Sequence, residues 1–376
     1  MRITIVTGAF FPIPTLLGGA VEKVWFALGQ EFVRRGHEVL QISRSHPELP
    51  EEETIAGVRH LRVPGFAQPR STIRLKLLDL IYSWRVRRRL PPADILVTNT
   101  FWLPILIRDT ARGLVYIHVQ RGPKGQMRWY AHVARLLAVS RAIAEAIISE
   151  APQLRDKVRV LPNALPLRVS AEEPNSRSRT VLFVGRVHPE KGLELLVGAW
   201  RRLAPELSSK WQLVIVGPAE SRLGGGGKEF LERLQTLAGN SAGQIEWAGA
   251  IFDDDKLTAH YRASRLFIYP SVAETGEALP LAPLEAMANG CAPIVSGLEC
   301  FSDYIADGVT GFVFDHRAAD AESALADCLD RVLRKSEEEI ACVAAAGQVK
   351  AKEFAAGPVA DRYLADFESL LAPQHR

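Results

Sequence analysis

Residues 180–203 read TVLFVGRVHPEKGLELLVGAWRRL, and this stretch decides the fold. A run of apolar residues typical of a buried strand ends at Gly185, a polar loop follows, and apolar residues then recur at helical spacing. The buried face of that helix is marked by Leu193, Leu196, Trp200 and Leu203. A strand, a loop and a helix in this order form the repeating unit of a parallel sheet that carries helices on both faces.

The first half of the chain begins in the same way. Residues 2–8, RITIVTG, form an apolar strand, and the helix AVEKVWFALGQEFVRRG follows over residues 20–36. Its expected buried positions are Val21, Val24, Trp25, Leu28 and Phe32. Because strands and helices alternate in both halves, the sequence predicts an α/β chain with two doubly wound domains.

The polar segment over residues 168–179, RVSAEEPNSRSR, has no periodicity and predicts the domain boundary. We therefore expect one domain over residues 1–168 and a second over residues 169–356. The amphipathic helix at residues 357–376 is expected to pack back on the first domain. Since ligands of open parallel sheets bind at the carboxyl ends of the strands, we expect a ligand site in the cleft between the domains.

The net charge of +3 conceals an uneven distribution of charge. Residues 1–168 carry 25 Lys and Arg against 13 Asp and Glu, and the remainder carries 21 against 30, which gives +12 and −9. The basic first half is therefore expected to meet an anionic partner. Its densest basic segment is RSTIRLKLLDLIYSWRVRRRL, which begins at residue 70. Residues 70–89 fit either a membrane-surface helix or a sheet-packing helix with a solvated basic face.

The composition is otherwise typical of a soluble globular protein, with 47% hydrophobic and 24% charged residues. The chain shows neither a signal peptide nor an apolar stretch of the ~18 residues that a transmembrane helix needs. The four cysteines form no C-x-x-C pair, so they are expected to be small, reduced core residues. They are Cys291, Cys300, Cys328 and Cys342.

The motif FVGRVHPEKG places two cations, Arg186 and Lys191, between the end of a strand and the start of a helix. Such a pair can bind a diphosphate, or can consist of two solvated surface charges. The segment GGGGKE at residues 224–229 is interpreted as a flexible loop, because it lacks the hydroxyl residue of a P-loop. The run DDD at residues 253–255 is interpreted as a helix cap rather than a metal site. No G-x-G-x-x-G follows either opening strand, which argues against a dehydrogenase.

Together, the ordered motifs of the chain resemble those of the GT-B glycosyltransferases of family four, the glycosyl transferases group 1. The matching motifs cover nearly the whole chain: GGA, RRGHEV, YIHV, AVSRAI, VLPNAL, FVGRVHPEKG, LVIVG, YPS, EAMANGCAPIVS and DGVTGFVF. The resemblance implies two Rossmann-like domains facing across a cleft, the first for the acceptor and the second for a nucleotide sugar.

The resemblance also implies a function. It implies a retaining, metal-independent transfer of a sugar from a UDP- or GDP-type nucleotide sugar to an acceptor hydroxyl, without a cofactor. The acceptor is expected to be a glycan, a lipid-linked compound or a small molecule of glycoconjugate biosynthesis. Further expectations are a peripheral position on the cytoplasmic face of an anionic membrane, and no nucleic acid partner. A nucleotide-sugar epimerase of the same fold and a non-catalytic nucleotide-sugar-binding protein remain alternatives.

The residues that match the family's site fall into two groups. The implied catalytic residues are His118, Arg186, Lys191 and Glu277. The implied donor-binding residues are Gly18, Gly19, Gly185, Phe252, Ala278, Leu279, Pro280, Leu281 and Glu285. Considered alone, His118 near the end of an apolar strand also fits a structural histidine, and the glycines of LLGGA also fit a plain turn.

Three carboxylates, Glu274, Glu277 and Glu285, lie in the segment PSVAETGEALPLAPLEAMANG over residues 270–290. The family carries two glutamates separated by seven residues, and this spacing selects Glu277 and Glu285. Glu277 would then contact sugar hydroxyls and Glu285 the ribose. Glu274 stands close after Pro-Ser, where many relatives have their first glutamate, and three extra residues between Pro-Ser and Glu277 account for its position. Pro280 has no N–H and removes one donor from this loop.

Overall fold

The computed structural model describes residues 1–16, 19–69, 71–166 and 177–372. The described strands are β1 (Arg2–Val6), β2 (Glu38–Arg44), β3 (Glu52–Ile55), β4 (Val58–Val63), β5 (Ile95–Thr98), β6 (Leu114–Val119), β7 (Arg135–Ala138), β8 (Val158–Val160), β9 (Ser178–Val184), β10 (Gln212–Val216), β11 (Ile245–Gly249), β12 (Ser264–Tyr269), β13 (Ala292–Ser296) and β14 (Phe312–Phe314). The described α-helices are α1 (Ala20–Arg34), α2 (Thr72–Arg89), α3 (Leu103–Leu106), α4 (Arg141–Glu150), α5 (Leu193–Arg201), α6 (Pro205–Ser208), α7 (Lys228–Ala238), α8 (Asp254–Ala263), α9 (Leu281–Ala288), α10 (Ala321–Leu333), α11 (Glu337–Lys352) and α12 (Ala356–Leu371).

The first unit consists of the described residues up to 166 together with residues 354–372. Its sheet has the order β3-β4-β2-β1-β5-β6-β7-β8, in which β3 is antiparallel to β4 and the other strands are parallel. Helix α1 buries the predicted face, except that Val21 is only half-buried. Glu22 turns inward instead and is 5% exposed, and burial raises the pKa of its carboxyl to about 7.

Helix α12 belongs to the first unit, although it lies at the far end of the sequence. Its buried Tyr363 makes an edge contact with Trp25 of α1, with the ring centroids 5.4 Å apart. Its buried Phe367 contacts Tyr116 of β6 at 4.8 Å and Phe32 of α1 at 6.0 Å. Aromatic burial of this kind explains why the chain returns to the first sheet.

The second unit consists, among the described residues, of residues 177–353. Its sheet is parallel throughout, in the order β11-β10-β9-β12-β13-β14. After β9 the chain adds β10 and β11 on one side of that strand. It then adds β12, β13 and β14 on the other side. The order of the strands therefore reverses between β9 and β12, which is where open parallel sheets bind ligands. The prediction of two doubly wound domains is confirmed.

Several local expectations can be compared with the described residues. Cys291, Cys300 and Cys328 are buried as predicted, whereas Cys342 is exposed because it lies on the outer face of α11. Within the described part of the chain, no helix is both long and apolar enough to cross a membrane. Residues 168–176, which contain most of the expected domain boundary, lie outside the described residues.

Candidate active site

The turn after β9 and the loop after β12 approach each other closely at the reversal of strand order. Gly192 has a φ of +70°, and a Cβ at this position would lie 2.0 Å from the carbonyl oxygen of Pro270. Only glycine permits this conformation and this approach. The approach brings Lys191, in the turn, next to the loop that contains Glu277.

Lys191 and Glu277 form an ion pair at this junction. The Lys191 Nζ donates to Glu277 Oε1 at 2.5 Å, and the two side chains are only 10% and 7% exposed. The hydroxyls of Tyr269 and Ser271 donate to the same oxygen at 3.1 and 2.8 Å. Burial and the neighbouring Glu277 raise the pKa of Tyr269 well above its usual value, so its hydroxyl remains a donor. Among the described residues, these contacts converge on Oε1 and leave Oε2 of Glu277 available to accept a further hydrogen bond.

Arg186 is held by groups that the sequence did not connect with it. Its guanidinium donates to the Glu190 carboxylate and, at 2.9 Å, to the carbonyl oxygen of Gly224. Gly224 is the first residue of the glycine run that was interpreted as a flexible loop. Gly226 of the same run donates its N–H to the Val187 carbonyl at 2.8 Å, so the run is bonded to the segment around Arg186.

Glu285 is the fifth of the eight residues of helix α9, and Tyr261 Oη donates to its Oε2 at 3.0 Å. The helix begins at Leu281 and has Gly290 just beyond its end, with a φ of +78°. Its first turn has no side-chain cap, and Pro280 occupies the N-cap position. Pro280 and Pro283 have no N–H, so the donors at this helix start are the N–H groups of Leu281 and Ala282.

Glu274 does not join Glu277 and Glu285. Its two carboxylate oxygens accept hydrogen bonds from Arg317 Nε and Nη2, both at 2.7 Å. His316 Nε2 also lies 2.9 Å from Glu274 Oε1. The loop thus directs Glu274 toward the segment after β14 and Glu277 toward Lys191.

The other residues implied in donor binding lie near the carboxyl ends of strands. Gly185 directly follows β9, Phe252 follows β11 and is 67% exposed, and Ala278 and Leu279 are buried in the loop before α9. Gly19 lies in the first unit as the N-cap of α1, with a φ of +110°. Gly18 lies outside the described residues.

His118 lies at the carboxyl end of β6 in the first unit and is 2% exposed. Trp25 Nε1 donates to its Nδ1 at 3.0 Å, which assigns the ring proton to Nε2. The Gln120 amide nitrogen lies 2.6 Å from Nδ1 and 2.9 Å from Nε2, and the Gln120 amide also pairs with the amide of Asn163.

The first carboxylate of the DDD run, Asp253, serves as the helix cap, as predicted. Asp253 Oδ1 accepts from the N–H groups of Asp255 and Lys256, both at 3.0 Å, at the start of α8. Within the described ranges, no three His, Cys, Asp or Glu side chains are grouped so that they could hold a metal ion.

Comparison with known families identifies both halves of the chain. The model described as "Glycosyltransferase Family 4" matches residues 18–169, and the model described as "Glycosyl transferases group 1" matches residues 169–348. The chain is 28% identical over 360 residues to the phosphatidyl-myo-inositol mannosyltransferase of Mycobacterium leprae (strain TN). The aligned region covers 89% of this chain and 88% of that protein.

Two solved structures share the fold over almost the full length. Sucrose-phosphate synthase from Thermosynechococcus elongatus superimposes with a TM-score of 0.79 at 18% identity, over 99% of each chain. Anabaena HepE in complex with UDP and glucose gives a TM-score of 0.69 at 15% identity, over 98% of this chain and 100% of that chain.

We predict that the His118 ring stays neutral, as the Nε2–H tautomer, between pH 5 and 8. Burial lowers the pKa of His118 to about 3. Because this value lies below the unfolded value near 6.5, the contribution of His118 to stability is present above pH ~6.5 and is lost as the pH falls toward about 3. Nitrogen chemical shifts of ¹⁵N-histidine-labelled protein measure both properties, and a His118→Gln variant assigns the signal. A His118 signal that titrates near pH 6.5 would contradict the prediction.

Proposed function

The chain belongs to family four of the GT-B glycosyltransferases, and from this premise we propose that it transfers a sugar from a nucleoside diphosphate sugar to an acceptor hydroxyl with retention of configuration. We further propose that the donor is a UDP- or GDP-type sugar and that the reaction needs no metal ion. It is carried by one observation, the Lys191–Glu277 pair beside Arg186 at the reversal of strand order. In this arrangement the cations that a diphosphate needs are supplied by the protein.

The donor would be bound mainly by residues of the second unit. Arg186 and Lys191 bind the diphosphate oxygens, and Glu285 accepts hydrogen bonds from the ribose hydroxyls. Glu277 accepts from a sugar hydroxyl through Oε2, because Lys191, Tyr269 and Ser271 already donate to its Oε1. A carboxylate with one oxygen saturated and the other available is a well-oriented acceptor.

The remaining donor contacts in the proposal involve main-chain groups and apolar surface. The loop residues Ala278 and Leu279 and the first helical residue, Leu281, offer N–H groups to the phosphate and sugar, whereas Pro280 has no N–H to donate. The exposed ring of Phe252 provides a surface for the base. Gly185 and, in the first unit, Gly19 are proposed to permit close approach of the backbone to the ligand, and Gly18, which belongs to the same proposal, lies outside the described residues.

His118 is assigned a hydrogen bond from Nε2–H to the donor sugar. In the described structure that nitrogen lies against the Gln120 amide, so the contact requires the half-buried Gln120 side chain to rotate away. A neutral imidazole suits this role because it donates one hydrogen bond without placing a charge beside the reacting carbon.

In the proposed reaction the bond between the anomeric carbon and the diphosphate oxygen breaks, and the acceptor oxygen forms its bond on the same face. The acceptor proton passes to an oxygen of the departing diphosphate, so no protein base is required. Charge grows on the diphosphate as the bond breaks, and Arg186 and Lys191 stabilise it. The loss of one such contact typically lowers the rate by about 10²–10³, which corresponds to about 3–4 kcal/mol.

We predict that one series among UDP-, GDP-, ADP- and dTDP-sugars raises the melting temperature of the protein and is turned over in excess EDTA. The product should keep the anomeric configuration of the donor, which NMR coupling constants measure. Arg186→Ala and Lys191→Ala should each lower turnover at least tenfold, because each removes a cation from the diphosphate. Arg201→Ala, at an exposed position of α5, is the control.

Three outcomes would contradict this proposal. An inverted product would exclude the retaining step. Activity that EDTA abolishes and Mg²⁺ or Mn²⁺ restores would show that a metal supplies the charge. Near-normal turnover of Arg186→Ala or Lys191→Ala would show that the replaced residue is a surface charge that does not bind the diphosphate.

We also predict that the two glutamates can be separated by their effects. Glu285→Gln should weaken binding of the free nucleoside diphosphate by about 1–3 kcal/mol, because it replaces a charged acceptor for the ribose. Glu277→Gln should lower the transfer rate much more than nucleotide affinity. Calorimetry with the nucleotide and initial-rate kinetics measure the two effects, and the exposed Glu299→Gln is the control. Normal transfer by Glu277→Gln would refute the assignment.

The acceptor is proposed to be a glycan, a lipid-linked compound or a small molecule, met by the first unit at the cytoplasmic face of a membrane. Helix α2 supports this placement, since it exposes apolar side chains beside its basic ones. Ile73 is 83% exposed, Leu77 57% and Trp84 47%. The Arg88 guanidinium lies 3.6 Å from the centre of the Trp84 ring. Residues 71–89 thus present a mixed surface that suits anionic lipid, and Arg70 of this segment lies outside the described residues.

We predict that the protein sediments with anionic phospholipid vesicles and that binding weakens as salt is raised. Ile73→Ser/Leu77→Ser and Arg87→Gln/Arg88→Gln/Arg89→Gln should both reduce binding, since each cation near anionic lipid contributes about 1 kcal/mol. The control Lys350→Gln/Lys352→Gln removes charge from α11. The membrane proposal fails if the wild type does not sediment, or if the control loses as much binding as the α2 variants.

A further inference from the structure

We propose that Arg317, acting through Glu274, holds the turn that presents Glu277 to the donor sugar, so that Arg317 and Glu274 are positioning residues for sugar transfer. The inference rests on the proposed function, because it takes Glu277 as the sugar contact. It assigns a purpose to the three residues by which this loop exceeds the family's spacing.

The loop between β12 and α9, residues 270–280, is fixed firmly at its beginning. The Val272 N–H donates to the Glu190 carbonyl at 3.0 Å, and the Ser271 hydroxyl, whose one proton is directed to Glu277, also lies 3.0 Å from that carbonyl oxygen. The Ser296 hydroxyl, at the end of β13, donates to the Ser271 carbonyl at 2.6 Å. The first two residues after Pro270 are therefore attached both to the turn after β9 and to the neighbouring strand.

The middle of the loop is a turn over residues 273–277, which ends at Glu277. The N–H groups of Gly276 and Glu277 donate to the Ala273 carbonyl at 3.1 and 3.3 Å. Among the described residues, the Glu274 side chain is the only group of residues 273–276 that is hydrogen-bonded outside the loop. The contact of Glu274 therefore restrains the turn from outside the loop, whereas Lys191, Tyr269 and Ser271 hold the Glu277 carboxylate itself.

That contact crosses the end of strand β13. Arg317 follows β14 and binds both carboxylate oxygens of Glu274, and its Nη1 donates to the Gly297 carbonyl at 2.8 Å. His316 adds a third contact to Glu274, and its side chain is only 3% exposed. The bidentate geometry restrains the direction of the carboxylate as well as its distance. The loops after β12, β13 and β14 are thereby joined.

The location of the contact separates it from nucleotide binding. The Glu274 and Arg317 side chains are about half exposed, at 50% and 49%, and neither contacts the residues assigned to the diphosphate or the ribose. The adjacent Arg317 lowers the pKa of Glu274, which keeps it charged at neutral pH. Removal of the contact between Arg317 and Glu274 should therefore disturb the contact of Glu277 with the sugar, and should leave the affinity for free nucleotide unchanged.

The test compares Glu274→Gln, Arg317→Gln and the double variant, using the donor found in the thermal-shift panel. We expect kcat/KM to fall about threefold to tenfold in each single variant, a range consistent with one well-oriented exposed ion pair. The double variant should be no worse than either single variant, because both remove the same contact. The dissociation constant of the free nucleoside diphosphate should change by less than about twofold. Hydrogen exchange at the Gly276 and Glu277 amides should become faster.

A matched control is available in the same unit. Asp330 and Arg334 form a similar bidentate pair at 2.8 and 2.9 Å, with side chains 42% and 49% exposed. Asp330→Asn should leave kcat/KM and the exchange of the loop amides unchanged.

Two results would overturn the inference. One is unchanged exchange at Gly276 and Glu277 in Glu274→Gln, which needs no active donor and is therefore distinct from failure of the proposed function. The other is a loss of nucleotide affinity in parallel with kcat/KM, which would make Glu274 part of the nucleotide site.

Discussion

The buried ion pair between Lys191 and Glu277 is the interaction on which the arrangement of the second unit's strand ends depends. It joins the turn after β9 to the loop after β12, the two segments that flank the reversal of strand order. The pair can form only because Gly192 lets the Pro270 carbonyl approach to a distance that a Cβ would prevent. Placement of Arg186 and of the start of α9 near the same strand ends follows from the same parallel topology.

Stability alone does not explain why this pair is buried. Removing two charges from water costs several kcal/mol per ion, and apolar residues of similar size often stabilise a protein as well or better. Here the cost is offset in part by hydrogen bonds from Tyr269 and Ser271 to the same carboxylate oxygen. Within this pair, Glu277 Oε1 is hydrogen-bonded by the protein, whereas Oε2 is available to accept a hydrogen bond from a polar ligand. This arrangement supports the binding role proposed for Lys191 and Glu277.

Much of this arrangement could be predicted from the sequence because it follows from local patterns. Apolar runs that end at glycine, followed by helical periodicity, predicted both sheets and the buried faces of α1 and α5. The cap formed by Asp253 was also a local property. The inward turn of Glu22 and the contact of Gly224 with Arg186 could not be predicted, because each depends on segments brought together by folding. The glycine run was interpreted as flexible for this reason: its bonds are made to residues far away in the sequence, around Arg186 and Val187.

The contact between Arg186 and Glu190 indicates how such a site can be stable while it holds cations. In the structure described here, Glu190 binds Arg186 and Glu277 binds Lys191, so each cation already has a carboxylate partner. A diphosphate would therefore replace Glu190 at Arg186 and join Glu277 at Lys191, whose ammonium has three N–H donors, instead of neutralising two bare charges. The Arg186 side chain is 38% exposed, whereas Lys191 is 10% exposed, so the exchange at Arg186 involves less desolvation. Arg186 is thus suited to the first encounter with the anion, and Lys191 to the better-shielded contact beside Glu277, where field strength is greater because water is excluded.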